Sequence, residues 1–254
     1  YIAEQKNYFT INSTRTKLGY FWSIKKPLLF SLILLILILI QPDLGGALIN
    51  ASIIVIMIIF GGVFRARTSV LITFGGLLAL ILFMIFGLIP YSLTHPGNYQ
   101  LRRFVAFARP FSHVQGVGKQ LVNSYYALSN GGIFGVGLGN SIEKTGYLPE
   151  PNTDFIMAVV AEEMGLITVM LLLILLAAII LRMILIGIRD NDFYYSLICY
   201  GCATYMMVET LFNMGGVIGL LPITGVTFPF VSYGGSSMVT LSACVGLVLQ
   251  IDLT

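Results

Sequence analysis

The sequence contains few charged residues, and this scarcity limits the class of protein it can encode. Only 10% of its 254 residues are Asp, Glu, Lys or Arg, whereas 57% are hydrophobic, and the mean hydropathy is +0.92. Soluble domains carry roughly 25% charged residues, so an ordinary water-soluble core is excluded. The net charge of +3 is too small for a nucleic-acid-binding surface, and we expect no nucleic-acid partner.

Cysteine and histidine are also scarce, so the sequence offers few candidate ligands for a metal or redox centre. The C-x-x-C spacing of Cys199 and Cys202 can indicate such chemistry, but neither a second cysteine pair nor a nearby histidine completes a site. We therefore interpret the cysteines, including Cys244, as packed apolar side chains. The two histidines, His95 and His113, have no partner at metal-ligand spacing, and no organic cofactor is expected.

Long apolar runs account for most of the chain. Each is flanked by basic residues or by Gly and Pro, which is typical of membrane-spanning helices. The runs cover about 27–40, 47–64, 70–89, 154–181, 193–212 and 236–253. The sequence thus predicts an all-α polytopic integral membrane protein, with about six transmembrane helices in a single membrane domain over residues 1–254. No signal-peptide pattern stands at the N-terminus, and we expect the chain to begin inside a larger membrane protein.

The positions of the basic residues predict the topology. Three basic pairs fall on one side of the six spans, and the positive-inside rule makes that side cytoplasmic. The pairs are Lys25 with Lys26, Arg65 with Arg67, and Arg182 with Arg189. The opposite, outer side then holds Asp43, Asp154, a Gly- and Pro-rich loop over 213–235, and the one long polar loop, 91–153. Residues 120–130 of the long loop are predicted to form a short helix at the membrane interface.

Asp154 is the main candidate for chemistry. It stands at the outer start of the fourth span, where it can cap the helix, act as a base, or do both. Ala158, Ala161 and Gly165 follow on nearly the same helix face, which suits close helix packing or a groove for a lipid chain. Glu162 lies two turns deeper, at membrane depth, where a charged group usually faces a cavity or makes a structural polar contact.

Other polar residues on the outer side suggest an anionic partner. The adjacent guanidinium groups of Arg102 and Arg103 can bind phosphate oxygens bidentately, although anionic lipid headgroups would suit them as well. Asp43 is either a helix cap or part of the same site. The 213–237 segment is too rich in Gly and Pro for an ordinary helix, so we expect it to line a cavity with hydroxyl groups such as those of Ser232 and Tyr233.

Several motifs resemble the SEDS family, the FtsW/RodA group of peptidoglycan glycosyltransferases. They occur in the family's order, and their wording is closer to the division branch, FtsW, than to the elongation branch, RodA. The motifs are Q-P-D-L-G (41–45), G-V-G-L-G-N-S (135–141), G-Y-L-P-E-P-N-T-D-F (146–155), A-E-E-M-G (161–165) and G-L-L-P-I-T-G-V-T-F-P-F-V-S-Y-G-G-S-S (219–237). The family has roughly ten spans of about 20 residues each, so the resemblance implies that this chain is the C-terminal part of such a protein.

The resemblance implies that the protein polymerises lipid II, a disaccharide-pentapeptide on undecaprenyl diphosphate, at the outer face of the bacterial cytoplasmic membrane. The family's motif acid falls on Asp154, which would be the general base of an inverting displacement. Arg102, Arg103 and Lys144 would hold the diphosphate, and a divalent cation, Mg²⁺ or Mn²⁺, could share that task. The expected partners are a class B penicillin-binding transpeptidase, divisome proteins and membrane lipid.

Departures from the family pattern occur at Gly46, Asn152 and Glu209, and for this reason Glu209 is not included in the predicted site. Three alternatives to a division-specific polymerase stay open: an elongation-specific polymerase, a lipid II flippase, and a scaffold without catalytic activity. A flippase should carry essential charges on both faces or at the midplane, whereas the motifs here cluster on the outer side. That clustering favours chemistry at the outer face.

Overall fold

The structure is a computed structural model that describes residues 17–41, 43–60, 103, 106–114 and 118–253. Regular structure in these residues is helical and includes no strand, which confirms the predicted all-α class. Six α-helices are present in the described ranges: α1 Lys17–Ile40, α2 Leu44–Phe60, α3 Lys119–Gly131, α4 Ile156–Arg189, α5 Phe193–Val217 and α6 Gly235–Asp252. Two short 3₁₀ segments, Pro110–His113 and Glu143–Thr145, lie on either side of α3 in the sequence.

Two helices in the described part of the chain, α4 and α6, are long and apolar enough to cross a membrane. The apolar stretch Leu29–Ile40 and helix α2 have similar character but are shorter. Large apolar side chains on these helices are exposed, for example Ile40 at 72% and Ile174 at 61%, as lipid-facing residues would be. The third apolar run, 70–89, and Arg65 with Arg67 lie outside the described residues, so the count of six spans stays a prediction.

The helix that contains the predicted fourth span is longer than that span, because α4 continues past 181 to Arg189; within it Arg182 forms an ion pair with Asp252 at 3.0 Å. One predicted boundary is wrong. The predicted loop begins at Asn213, but α5 continues to Val217. The Asn213 side chain donates hydrogen bonds to backbone carbonyls, so its polarity does not interrupt the helix.

The chain divides into two compact units. The first contains 1–80, 180–205 and 244–254, and the second contains 81–179 and 206–243. Within the first unit α1 packs against α2, and the rings of Phe60 and Tyr200 lie 4.6 Å apart. The prediction that 1–254 form a single membrane domain stays a prediction.

The core of the second unit forms around α3. Leu121 and Ala127 of this helix are fully buried and pack against Phe155, Ala158 and other apolar residues near the start of α4 and the end of α5. Ser124 also donates a hydrogen bond to the Val217 carbonyl at 3.0 Å, which satisfies an acceptor at the C-terminus of α5. The predicted helix over 120–130 is confirmed as a helix, whereas its position at a membrane interface stays a prediction.

Helix α4 is interrupted at Gly165, where φ is 78° and ψ is 175°. The Gly-rich loop after α3 inserts at this break, and its backbone bonds to the helix groups that the break leaves open. The bonds are Val136 N to Glu162 O (2.9 Å), Gly137 N to Glu163 O (2.9 Å), Leu166 N to Gly132 O (3.0 Å) and Ile167 N to Ile133 O (3.4 Å). A side chain at Gly165 would collide with the Ile133 carbonyl, so glycine is required for this junction.

Candidate functional site

Asp154 lies just before α4, in a segment that a second loop holds in place. The Ser232 hydroxyl donates to the Thr153 carbonyl at 2.7 Å, and the Tyr233 amide donates to the Asn152 carbonyl at 2.8 Å. Ser232 in turn accepts a hydrogen bond from the Phe228 amide at 2.7 Å. The predicted site residues Ser232 and Tyr233 are therefore brought to the segment that carries Asp154. Ser232 acts through its hydroxyl, whereas the Tyr233 ring is 83% exposed.

Arg103 reaches the same place from the long loop. Its Nη1 donates to the Ile223 carbonyl at 3.3 Å. A Cβ added at Gly225 would lie 3.4 Å from Arg103 Nη1 and 3.5 Å from Asp154 Oδ2, so the guanidinium and the carboxylate both border this bare backbone position. These are ordinary van der Waals distances, so the space does not require glycine, whereas the φ of +80° at Gly225 does favour it. The geometry thus places a cation beside the candidate base.

The surroundings of Asp154 make it a stronger base than an ordinary aspartate. Burial raises the pKa of its carboxyl group, and the charge of Glu150 raises this pKa further. The Arg103 guanidinium and a hydrogen bond with Thr153 act in the opposite direction, but the pKa is still raised. A carboxylate with an elevated pKa, in a partly buried position beside a cation, is typical of functional sites.

Asn213 supports this site from α5, although it is not among the residues predicted from the sequence. Its Nδ2 donates to the Asp154 carbonyl at 2.8 Å and to the Val226 carbonyl at 2.7 Å. It also lines a cavity of about 10 Å³ together with Asp154, Gly225 and neighbouring apolar residues. A polar residue directly after the apolar run 193–212 is the sequence feature that could have indicated its role. From the sequence, Asn213 is instead interpreted as the start of a loop.

Glu162 belongs to a different cluster in the same unit. It is fully buried, and its carboxylate accepts hydrogen bonds from Asn130 Nδ2 (2.8 Å), the Ile142 amide (3.1 Å) and the Ser141 hydroxyl. These donors come from α3 and from the loop that follows it. Glu162 therefore joins α3, this loop and α4, which corresponds to the structural alternative considered for it.

Lys144 also lies in this second cluster. Its Nζ forms an ion pair with Glu163, and its amide donates to the Ser141 hydroxyl at 3.2 Å. The neighbouring Glu143 has a raised pKa, mainly because of burial and then because of the Glu162 charge, with Lys119 acting against the rise. The structure thus gives Lys144 an anionic protein partner, and its predicted contact with a diphosphate stays a prediction.

Glu209 was left out of the predicted site, yet it is 2% exposed in the second unit. Its Oε1 accepts hydrogen bonds from the Thr227 hydroxyl at 2.9 Å and the Ser237 hydroxyl at 3.0 Å. Thr227 lies in the loop between α5 and α6, and Ser237 lies in the first turn of α6. Glu209 therefore connects that loop and the start of α6 to α5.

Two further predicted site residues are Asp43 and Arg102. Asp43 lies in the first unit, where its Oδ1 accepts a hydrogen bond from the Gly46 amide at 2.9 Å and caps α2. Arg102 lies outside the described residues. Among the residues that are described, no three His, Cys, Asp or Glu side chains form a group that could hold a metal ion.

Comparison with known proteins gives concordant matches over nearly the whole chain. The family model of the FtsW/RodA/SpoVE cell cycle proteins matches residues 5–254. A Bacillus subtilis (strain 168) protein named probable peptidoglycan glycosyltransferase FtsW is 42% identical over 228 residues, which cover 89% of this chain and 56% of that protein. A Lactococcus lactis protein of the same name is 43% identical over 224 residues, covering 86% of this chain and 53% of that protein.

A solved chain from a peptidoglycan synthase complex, described as coordinating polymerization and crosslinking, is also similar. It superposes with a TM-score of 0.68 at 28% identity, covering 91% of this chain and 62% of that one. The chain thus spans about half the length of the curated relatives it matches.

Proposed function

The chain belongs to the FtsW/RodA/SpoVE family of cell cycle proteins, and we propose that the protein containing it polymerises lipid II into glycan strands during cell division. The site around Asp154 is the observation that carries this proposal, because it offers a strengthened base beside a guanidinium. Relatives at 42% and 43% identity that are named peptidoglycan glycosyltransferase FtsW support the reaction and the division branch.

The proposed reaction is an inverting displacement with Asp154 as the general base. The Asp154 carboxylate takes the proton from the 4-hydroxyl of the acceptor's GlcNAc, and the oxygen attacks C1 of the donor's MurNAc. A new glycosidic bond forms as the bond from C1 to the diphosphate oxygen breaks, and undecaprenyl diphosphate leaves with the bonding electrons. The raised pKa of Asp154 suits this role, because a stronger base accepts the proton more readily in the transition state.

Arg103 is proposed to hold the leaving diphosphate. Its guanidinium has planar N–H donors that match phosphate oxygens, and it lies close enough to Asp154 to influence that carboxyl. Arg102 and Lys144 stay as weaker candidates. For Lys144 to bind the diphosphate, it would have to exchange its ion pair with Glu163 for the substrate.

We also propose that a divalent cation, Mg²⁺ or Mn²⁺, takes part in binding the diphosphate. The described residues offer no complete cage of protein ligands, so most of its ligands would be diphosphate oxygens and water. When bound, such a cation would neutralise charge on the leaving group. Polymerisation should then fall in excess chelator and recover when Mg²⁺ or Mn²⁺ is added back.

The proposed setting is the bacterial cytoplasmic membrane, with Asp154 facing outward and about six spans in this part of the protein. A class B penicillin-binding transpeptidase is the proposed partner, together with other divisome proteins. The similar solved chain supports such a partner, because it comes from a synthase complex that links polymerization and crosslinking.

The experiment that tests this proposal is polymerisation of lipid II by the purified full-length protein in liposomes. We expect Asp154→Asn to abolish glycan strands, since general-base help contributes about 10²–10⁴-fold and an amide cannot accept the proton. Asp192→Asn is the matched control. Asp192 caps the first turn of α5 through the Tyr194 amide at 2.8 Å, so its change tests the loss of a capping carboxylate in the first unit.

Normal strand synthesis by Asp154→Asn would remove the base from the mechanism. Lipid II translocation without strand synthesis by the wild-type protein would favour the flippase alternative. The absence of both activities, with transpeptidase binding retained, would favour the scaffold.

A further inference from the structure

Asn213 carries a buried amide group of which only one end is satisfied. The residue is 4% exposed, and both hydrogen bonds of its Nδ2 go to backbone carbonyls, those of Asp154 and Val226. Because carbonyls only accept, these two bonds fix which end of the amide is nitrogen. The other end, Oδ1, is buried and accepts no hydrogen bond from the part of the chain that the structure describes.

Buried acceptors are normally satisfied by a protein donor or by an internal water molecule, and the described residues offer no protein donor here. Asn213 lines a cavity of about 10 Å³, and Asp154 lines the same cavity. A volume of roughly 10–15 Å³ on this measure accommodates one water. Gly225 also lines the cavity, and the position of a Cβ there would be 3.5 Å from Asp154 Oδ2, so the carboxylate borders this space.

We propose that Asn213 is a positioning residue for Asp154, and that the cavity between them binds one water molecule. The water donates one hydrogen bond to Asn213 Oδ1 and the other to the Asp154 carboxylate. This inference rests on the proposed function for its catalytic consequence, although the water site itself does not. Asn213 thereby fixes Asp154 twice, at its backbone carbonyl through Nδ2 and at its carboxylate through the water.

This arrangement orients the base. One carboxylate oxygen is held by the water, and the other is left to face the acceptor hydroxyl. The charged groups that act on the Asp154 carboxyl are Arg103 and Glu150, from the long loop and the segment before α4. Asn213 adds a neutral, directional contact from α5, so its loss should affect both the orientation and the hydration of the carboxylate.

The test uses two Asn213 variants of the full-length enzyme. Asn213→Ala removes both donors and the acceptor, and we expect kcat to fall on the order of 100-fold with an unchanged apparent KM, as for a misplaced catalytic group. Because the water then has no partner on α5, the Asp154 carboxylate loses a hydrogen bond that favours its charged form, so its pKa should rise and the acid limb of the pH–rate profile should move to higher pH. Asn213→Asp keeps the shape but adds a negative charge, so it should move the acid limb to higher pH.

A shift of the acid limb in both variants separates positioning from destabilisation, because destabilisation alone lowers the rate without moving that limb. Asn123→Ala is the control, because Asn123 is a comparably buried asparagine that donates to the Tyr147 carbonyl and does not line the cavity. It should leave the acid limb where it is in the wild type. Wild-type kcat in Asn213→Ala, or an acid limb that neither Asn213 variant moves, would overturn the positioning role.

The water is tested without any activity. Infrared difference spectra of the full-length protein between acid and alkaline pH should contain a water O–H band that shifts in H₂¹⁸O. The band should be present in the wild type and in Asn123→Ala but lost in Asn213→Ala and Asp154→Asn. If the wild type lacks this band, the water site is wrong. If the band behaves as expected but no strands form, the polymerase proposal fails and the water site stands.

Discussion

Asp154 and Glu162 lie eight positions apart in the second unit, yet their carboxylates have opposite environments. Glu162 is fully buried, and its oxygens accept hydrogen bonds from Asn130, Ser141 and the Ile142 amide. Asp154 is partly exposed, and burial, rather than hydrogen bonding, has the largest effect on its pKa. The difference shows that a carboxylate surrounded by donors joins segments of the fold, whereas one raised in pKa beside a cation is suited to chemistry.

The two clusters also differ in how they are assembled. The Glu162 cluster combines α3, the Gly-rich loop and α4 into a fixed junction around the break at Gly165. The Asp154 cluster consists mainly of loop segments. Gly225 in this cluster has no side chain, and a small cavity lies beside Asp154. Variants at the first cluster should therefore reduce stability, and variants at the second should reduce rate.

The largest expected effect on stability is that of Glu162→Ala. It leaves the buried Ser141 hydroxyl without its acceptor, which costs about 1–3 kcal/mol, and it removes two part-buried hydrogen bonds, from Asn130 and the Ile142 amide, that contribute about 0.5–1.5 kcal/mol each. We expect a destabilisation of several kcal/mol on this basis, measured by thermal or denaturant unfolding of the full-length protein in detergent. The activity of each folded molecule should stay close to that of the wild type. Wild-type stability with lost activity would reverse the roles assigned to Glu162 and Asp154.

Gly165→Ala should have the next largest effect. Alanine is strained at a φ of +78°, and its methyl group would collide with the Ile133 carbonyl, so we expect a loss of roughly 1–3 kcal/mol. The same unfolding measurement tests it, with Gly246→Ala in α6 as the control. A side chain at Gly246 meets open space, so alanine there should be neutral or slightly stabilising. Equal stability of the two variants would contradict the account of the break.

Arg103 variants should change rate and pH dependence together. The Arg103 guanidinium lowers the pKa of Asp154, so Arg103→Ala should raise that pKa and move the acid limb of the polymerisation rate to higher pH. Arg103→Lys keeps the charge but loses the fork of donors, so it should reduce the maximal rate with a smaller pH shift. A loss confined to apparent KM would mean that Arg103 contributes only to ground-state binding of lipid II.

Glu150→Gln should produce the smallest effect, and in the opposite direction. The Glu150 charge raises the pKa of Asp154, so its removal should move the acid limb to lower pH. The rate at the optimum should change little, because Glu150 is exposed and is not proposed to contact substrate. A shift to higher pH would show that Glu150 acts on Asp154 by another route.

Sequence patterns predicted the elements that depend on local composition. The helical class and the short helix predicted over 120–130 are confirmed. The roles of Asp154 and Arg103 stay predictions, although both side chains border the same position at Gly225. The break at Gly165 could not be predicted, because the groups that complete it come from Gly132–Gly137, about 30 residues earlier in the chain. Asn213 was assigned to a loop for a related reason, since its helical position depends on carbonyls of Asp154 and Val226.

If Asp154 is the general base, its titration sets the rate of glycan polymerisation. The most direct test compares two midpoints in the full-length protein. One is the acid-limb midpoint of kcat/KM for lipid II, and the other is the protonation midpoint of Asp154, measured by carbodiimide labelling and mass spectrometry across pH. We expect the two midpoints to coincide in the wild type and to move together in Glu150→Gln and Arg103→Ala. A rate that titrates independently of Asp154 in any of these proteins would contradict its role as the general base.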